Sequence, residues 1–283
     1  MLAILMWALL GVFTAGSGHV PPFLLNALCF GISGGLSVSW LAASGRIGLL
    51  RQPLKVWIVG TGGLFGFHAL YFTALRNAPA LEANLINYLW PLLIVLMSGL
   101  LPGERLRPHH LIGVAVGFAG AALLIASRGV LSIDSGYAFG YGAAIASALT
   151  WSSYSVISRG MAKVPTEAVS GFCLLTALLS LAAHFLFETT VLPQGATEWT
   201  MVALLGIFPV GLAFFVWDYG IKNGDIQVLG AAAYAAPVLS TLLLAATGYG
   251  TLNTVTALAS LLVTVGALIA AKDMLFKRRP SAA

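Results

Sequence analysis

Apolar residues fill this chain in runs of roughly 20, the length one helix needs to cross a bilayer core, and lysine and arginine fall mostly in the joins. A soluble core is not built that way. Ten runs can be marked, at about 2–15, 20–43, 55–75, 80–101, 109–127, 137–158, 166–187, 199–221, 225–247 and 251–271. Lipid offers no partner to a backbone amide, so each run is expected to be an α-helix that satisfies its own hydrogen bonds. The chain is 59% hydrophobic and 8% charged, where a soluble protein carries about a quarter charged residues. Little is left over for a soluble domain. The expected fold class is an all-α integral membrane protein with ten transmembrane helices.

The joins alternate in charge. If the N-terminus lies inside, the inner loops carry Arg46, Arg51, Lys55, Arg105, Arg107, Arg159, Lys163 and Lys222, and the tail adds Lys272, Lys277, Arg278 and Arg279. Of fourteen basic residues only Arg76 and Arg128 remain for the outer side. That bias orients membrane proteins and predicts both termini in the cytoplasm of a multi-pass inner (plasma) membrane protein. The net charge of +5 then follows from topology, and no nucleic-acid partner is expected. Met1 to Ala15 lacks the charged start of a signal peptide, since the first Lys or Arg is Arg46, and is read as a short first helix. Cys29 and Cys173 each sit alone in an apolar run, where cysteine acts as a small hydrophobe. No disulfide, metal site or cofactor is expected.

Within the fourth run stands NYLWPLL, Asn87 to Leu93. An oily helix needs no amide, phenol or indole there, and the proline removes a backbone donor that lipid cannot replace. A shift of 146 residues lays this segment on AYAAP, Tyr88 on Tyr234 and Pro91 on Pro237. The same shift matches Arg76-Asn77 with Lys222-Asn223, Leu106 with Leu252 and Gly120 with Gly266, while Trp7 and Trp151 correspond at a shift of 144. Two halves follow, 1–127 and 136–271, joined by SRGVLSIDSG and followed by a basic cytoplasmic tail at 272–283. Five runs per half is an odd number, so the second half must enter the membrane the other way up. Inverted repeats of this kind mark secondary transporters, with the substrate near the midplane between them.

The stretch GLFGFHALYFTALRNAPALEANLINYLWPLLIVLMSGLLPGERLRPHHLIGVAVGFAGAALLI resembles one five-helix unit of the drug/metabolite transporter superfamily, of the EamA type. The second half, from Gly140 to about Ala271, resembles its partner. NYLWP and YAAPVLS are similar to the YddG branch, which exports aromatic and other amino acids. One departure is plain: the first half has PGERL where the second has GYGTL, so whatever Glu104 does is not done twice. The resemblance implies that helices 1, 3, 4, 6, 8 and 9 surround a central pathway while 2, 5, 7 and 10 pack outside.

The polar and aromatic residues follow that division. Helix 3 carries His68 and Tyr71, which share a face at i,i+3. Helix 4 carries Asn84, Asn87, Tyr88 and Trp90; helix 6 carries Trp151, Ser152 and Ser155; helix 8 carries Phe214 and Trp217, aligned by the repeat with His68 and Tyr71. With Tyr234 on helix 9 these are the expected substrate-binding residues, and Pro91 and Pro237 the expected hinges. The competing reading for serines and asparagines is glue between helices. Trp40, Trp57 and Trp199, near helix ends, read as interface anchors. Glu82, just after Pro79, reads as a carboxylate favoured by a helix N-terminus, and Asp218 as the i,i+4 partner of Lys222. His109 and His110 are placed in a loop and His184 near a helix end, without a transport role.

Phosphorylated cargo would require Lys or Arg in the pathway, and none falls mid-span. Organic cations would need a central carboxylate within an aromatic box, and Glu82 and Asp218 stand near helix ends. A neutral or zwitterionic solute remains, and an amino acid fits, with aromatic walls that accept large side chains. The expected partners are thus amino acids and the lipid bilayer, with a monomer as the unit. The pattern His-Glu-x-x-His is absent, which speaks against a membrane metallohydrolase. With His68 expected to be a neutral hydrogen-bonding partner, the favoured function is amino-acid export by alternating access as a facilitator. The alternatives are a proton-coupled multidrug or metabolite exporter of the same superfamily and a non-transport membrane protein.

Overall fold

The computed structural model describes residues 1–127, 134–247 and 253–273. The middle of the linker, the GYGTL turn and all but the start of the basic tail lie outside the described residues. Within them every regular element is helical and there is no strand. The helices are α1 (Leu2–Ala8, resumed at Leu10–Ala15), α2 (Pro22–Ala43), α3 (Leu54–Asn77), α4 (Ala80–Asn87, resumed at Trp90–Ser98) and α5 (Pro108–Ala126). They continue as α6 (Ala138–Gly160), α7 (Thr166–Phe187), α8 (Gly195–Asn223), α9 (Ile226–Ala232, resumed at Ala235–Ala246) and α10 (Thr254–Ala270). Among the described residues α2, α3, α5, α7, α8 and α9 are long and apolar enough to cross a bilayer, while α1 and α10 are shorter apolar helices.

Besides α1, interrupted at Leu9, three helices depart from a continuous ladder, each at or just ahead of a proline. The breaks in α4 and α9 fall at Tyr88–Leu89 and Ala233–Tyr234, within four residues ahead of Pro91 and Pro237. Each proline lacks the N–H that would return to the carbonyl four residues back, at Asn87 and Ala233. Leu89 bonds to the Ile86 carbonyl and Ala236 to the Ala233 carbonyl instead, in tighter three-residue closures. In α8 the turn Phe208–Leu212, which contains Pro209, widens to a π-helix, a distortion common at functional sites.

Small residues set how closely helices meet. The α5 and α10 helices cross at glycines: a Cβ on Gly113 would lie 2.6 Å from the Ala270 nitrogen, and one on Gly266 2.5 Å from the Gly113 carbonyl oxygen. Backbones pack that closely only without side chains. Gly34 of α2 similarly meets the backbone of Leu174 in α7 at 2.6 Å. Further packing runs α3 on α6, α1 on α8, α4 on α6, α1 on α9, α2 on α8 and α3 on α7.

Charged residues join the loops at one end, here named the basic end. Arg46 pairs with Glu167, Arg107 with Asp273, and Arg159 with Glu104 at 2.7 Å. Arg159 also donates to the carbonyls of Ile221, Lys222 and Gly224 that end α8. At the opposite end Arg76 pairs with Glu188, whose carboxylate also takes the first amides of α2. His109 and His110 occupy the first turn of α5, behind Pro108, rather than a loop; proline at the first helical position fixes the start.

Candidate functional site

Four tryptophans from four helices meet at the centre. Trp7 of α1, Trp90 of α4, Trp151 of α6 and Trp217 of α8 touch in all six pairings, with centroids from 5.0 Å (Trp7–Trp217) to 6.3 Å (Trp90–Trp151). Phe214 closes one side, 5.6 Å from Trp151 and 6.2 Å from Trp7. Most pairs are edge to face or tilted, the arrangements that ring quadrupoles favour. Two indole N–H groups are anchored: Trp7 donates to the Pro209 carbonyl at 3.1 Å, and Trp217 to Ser155 Oγ at 3.1 Å. The first of these bonds reaches the π turn of α8, so the distortion and the tryptophan group are joined directly.

A second layer lies towards the end opposite the basic loops. His68 donates through Nδ1 to the Leu64 carbonyl, 2.7 Å away on its own helix, since a carbonyl oxygen can only accept. Its ring touches Phe30, Phe67, Phe72 and Phe214. Tyr71 stacks on Phe67 and gives its hydroxyl proton to Asn84 Oδ1. Trp7, Phe67, His68, Tyr71 and Asn84 are half-buried, whereas Ile4, Ile221 and Ile226 towards the basic end are fully buried.

The expected residues divide into three groups. His68, Tyr71, Asn84, Trp90, Trp151, Ser155, Phe214 and Trp217 come together in these two layers. Asn87 and Ser152 serve as ties between helices: Asn87 Oδ1 accepts from Ser147 at 3.1 Å, and Ser152 donates to the Trp90 carbonyl at 2.9 Å and to Ala148 of its own helix at 2.7 Å. Tyr234 stands apart. It is fully buried away from the tryptophans, against Phe118 and Gly117 of α5, and Tyr88 packs on the same cluster. Tyr234 thus sits within the α5 and α10 scaffold, while half-buried Tyr88 touches that cluster and also lies close enough to Tyr71 to interact with it electrostatically. Trp7, Phe30 and Phe67 belong to the layers without having been singled out; the correspondence of Trp7 with Trp151 was the available signal.

Asp218 pairs with Lys222 as the i,i+4 spacing suggested. Asp218 accepts from Lys222 at 2.7 Å and Thr166 at 2.7 Å, and Lys222 also donates to the Val164 carbonyl at 2.9 Å. Glu82 lies in the first turn of α4 and is 4% exposed.

The model of the EamA-like transporter family matches residues 1–126 and 138–271. The chain belongs to that family. This EamA-like transporter is 52% identical over 270 residues, 95% of the chain and 94% of its relative, to the aromatic amino acid exporter YddG of Ancylobacter novellus. It is 24% identical to the aromatic amino acid exporter YddG of Salmonella typhimurium, over 87% of the chain and 86% of the relative. It is 23% identical to a biotin transporter of Escherichia coli, over 76% and 71%. A solved structure at 52% identity superposes with a TM-score of 0.91 over 95% of this chain and 93% of that one.

Proposed function

We propose that this EamA-like transporter exports amino acids, aromatic and other hydrophobic or neutral ones, by alternating access as a facilitator, and is not an enzyme. The observation that carries the reading is the four-tryptophan group with Ser155, Tyr71, Asn84 and His68 around it. Aromatic walls take large apolar side chains without strict selection, and the hydroxyls, amide and imidazole offer neutral hydrogen-bond partners to ammonium and carboxylate groups. The relative named as an aromatic amino acid exporter, at 52% identity, supports the substrate class.

The topology proposed is ten crossings in two inverted five-helix repeats, 1–127 and 136–271, with the basic end, both termini and the 272–283 tail in the cytoplasm of the inner membrane. Support comes from packing that survives exchange of the halves: α3 on α6 becomes α8 on α1, α4 on α6 becomes α9 on α1, and α3 on α7 becomes α8 on α2. The family model also matches in two stretches. The working unit is a monomer, with the tryptophan group between the halves. The hinges are the breaks ahead of Pro91 and Pro237.

The test is uptake by purified protein in liposomes against amino acids, phosphosugars and organic cations, with no imposed pH gradient or potential. Aromatic and neutral amino acids should equilibrate, and an uncoupler should leave the initial rate unchanged. The second reading, proton-coupled export of drugs or metabolites, is favoured by one observation, the burial of the Glu82 carboxylate. Strict dependence on a proton gradient, lost in Glu82→Gln or His68→Ala, would establish it instead.

A further inference from the structure

We propose that His109, His110 and Asp273 form a binding site for a divalent transition-metal ion at the basic end, away from the tryptophan group. One ligand atom from each side chain can be chosen so that all three lie within 4.8 Å of one another. The two imidazoles come from the first turn of α5 and the carboxylate from just beyond α10. Around a tetrahedral zinc ion, with ligand bonds of about 2.0–2.2 Å, ligand atoms stand about 3.4 Å apart, so rotamer adjustments of roughly an ångström close the site. A mixed imidazole and carboxylate set suits zinc, cobalt or nickel rather than magnesium or calcium, which prefer oxygen alone.

Two local features point the same way. His109 Nε2 is buried and has no hydrogen-bond partner although Asp273 Oδ2 stands 3.5 Å away, and the His109 and His110 rings are 4.2 Å apart. A buried ring nitrogen without a partner is costly, and a metal bond removes that cost. The C-terminal end of α10, which delivers Asp273, carries partial negative charge that favours a cation. Two features oppose binding. The N-terminus of α5 is partially positive, and the Arg107 guanidinium already holds Asp273. His110 Nδ1 also accepts the Arg107 backbone N–H, at a long 3.3 Å, a weak bond that coordination can replace. Arg107 therefore competes with the metal for one carboxylate. Occupation would clamp α5 to α10 at the end where their glycine crossing is tightest.

The experiment titrates Zn2+ and Co2+ into the full chain in detergent, with any purification tag removed and Mg2+ as control. One equivalent of Zn2+ should bind, Co2+ should give the visible absorption of a low-coordinate site, and Mg2+ should do neither. His109→Ala and Asp273→Asn should each weaken Zn2+ at least tenfold while melting with the parent in the absence of metal. Arg107→Ala, by releasing the carboxylate, should tighten it severalfold, a result no purely structural role of these residues produces. Absence of saturable Zn2+ binding by the parent would overturn the proposal, as would affinity within twofold of the parent in both ligand variants.

Discussion

The indole N–H of Trp217 donates to Ser155 Oγ over 3.1 Å, between two helices and with both side chains buried. Ser155→Ala removes the acceptor and leaves the N–H buried without a partner, a loss of about 1–3 kcal/mol. Trp217→Phe removes the donor. Pairing the two changes should therefore cost less than the sum of the single changes, and unfolding of the four proteins in a double-mutant cycle measures the difference. Additive effects would mean that the bond contributes nothing.

Among the four tryptophans, Trp151 and Trp7 have the most ring partners. Replacing such a residue at a binding centre commonly costs about 2 kcal/mol or more, which corresponds to roughly thirtyfold in affinity. Trp7→Ala and Trp151→Ala should raise the KM for aromatic substrates by about that factor at parental membrane insertion. Initial rates against substrate concentration in liposomes, at matched protein, give the answer. Kinetics equal to the parent in both variants would remove the tryptophan group from the pathway.

Tyr234 should behave differently. Packed against Phe118 and Gly117, away from the tryptophans, it is expected to act in scaffold packing alone. Tyr234→Phe, which keeps the ring, should transport like the parent, while Tyr234→Ala should lower thermal stability by about 3–5 kcal/mol for the emptied space. A raised KM in Tyr234→Phe would return this tyrosine to the site.

Pro91→Ala should restore the hydrogen bond to the Asn87 carbonyl and close the break at Tyr88–Leu89. The stiffer α4 is expected to bind substrate with little change but to exchange it more slowly. Equilibrium binding together with counterflow rates separates the two, and a parental rate would argue that the break is not a moving part.

At the end opposite the basic loops, Glu188 links three helices. Burial alone would raise the pKa of its carboxyl, but the amides of Phe23 and Leu24, His184 and the Arg76 guanidinium outweigh it and hold the pKa below the ordinary carboxylate value. A depressed folded-state pKa contributes stability that is present above the unfolded value and is lost as pH falls through the folded one. Melting temperature should therefore drop on acidification through and below the ordinary carboxylate range. Glu188→Gln should flatten that part of the profile; an unchanged profile would show that these contacts are not coupled to folding.

Much of this arrangement was legible in the chain. A proline in an apolar run dictates a break by removing a donor, and both breaks fall where Pro91 and Pro237 require. The Asp218–Lys222 pair follows from helical spacing. Tyr234 packs on Phe118 and Gly117 and not beside the tryptophans, a placement the repeat could not reveal, because it preserves backbone geometry as readily as a binding role and the two look alike in one sequence. Trp7 was passed over because the short first run offered no polar company to mark it. The π turn left no pattern of its own beyond Pro209 and the glycines at 206 and 211, of which Gly206 lies close against the α2 backbone at Cys29.

That π turn gives α8 one residue more than an unbroken α-helix of the same length needs. Such a surplus acts as a dislocation in a one-dimensional lattice: it can sit at one turn or be passed to the next. Each α-helical residue advances the helix by about 100°, so every side chain over which the dislocation passes would swing by about that angle. Phe214 and Trp217 stand within two turns of it. A slip of a single residue in α8 would dismantle the tryptophan group without moving either end of the helix.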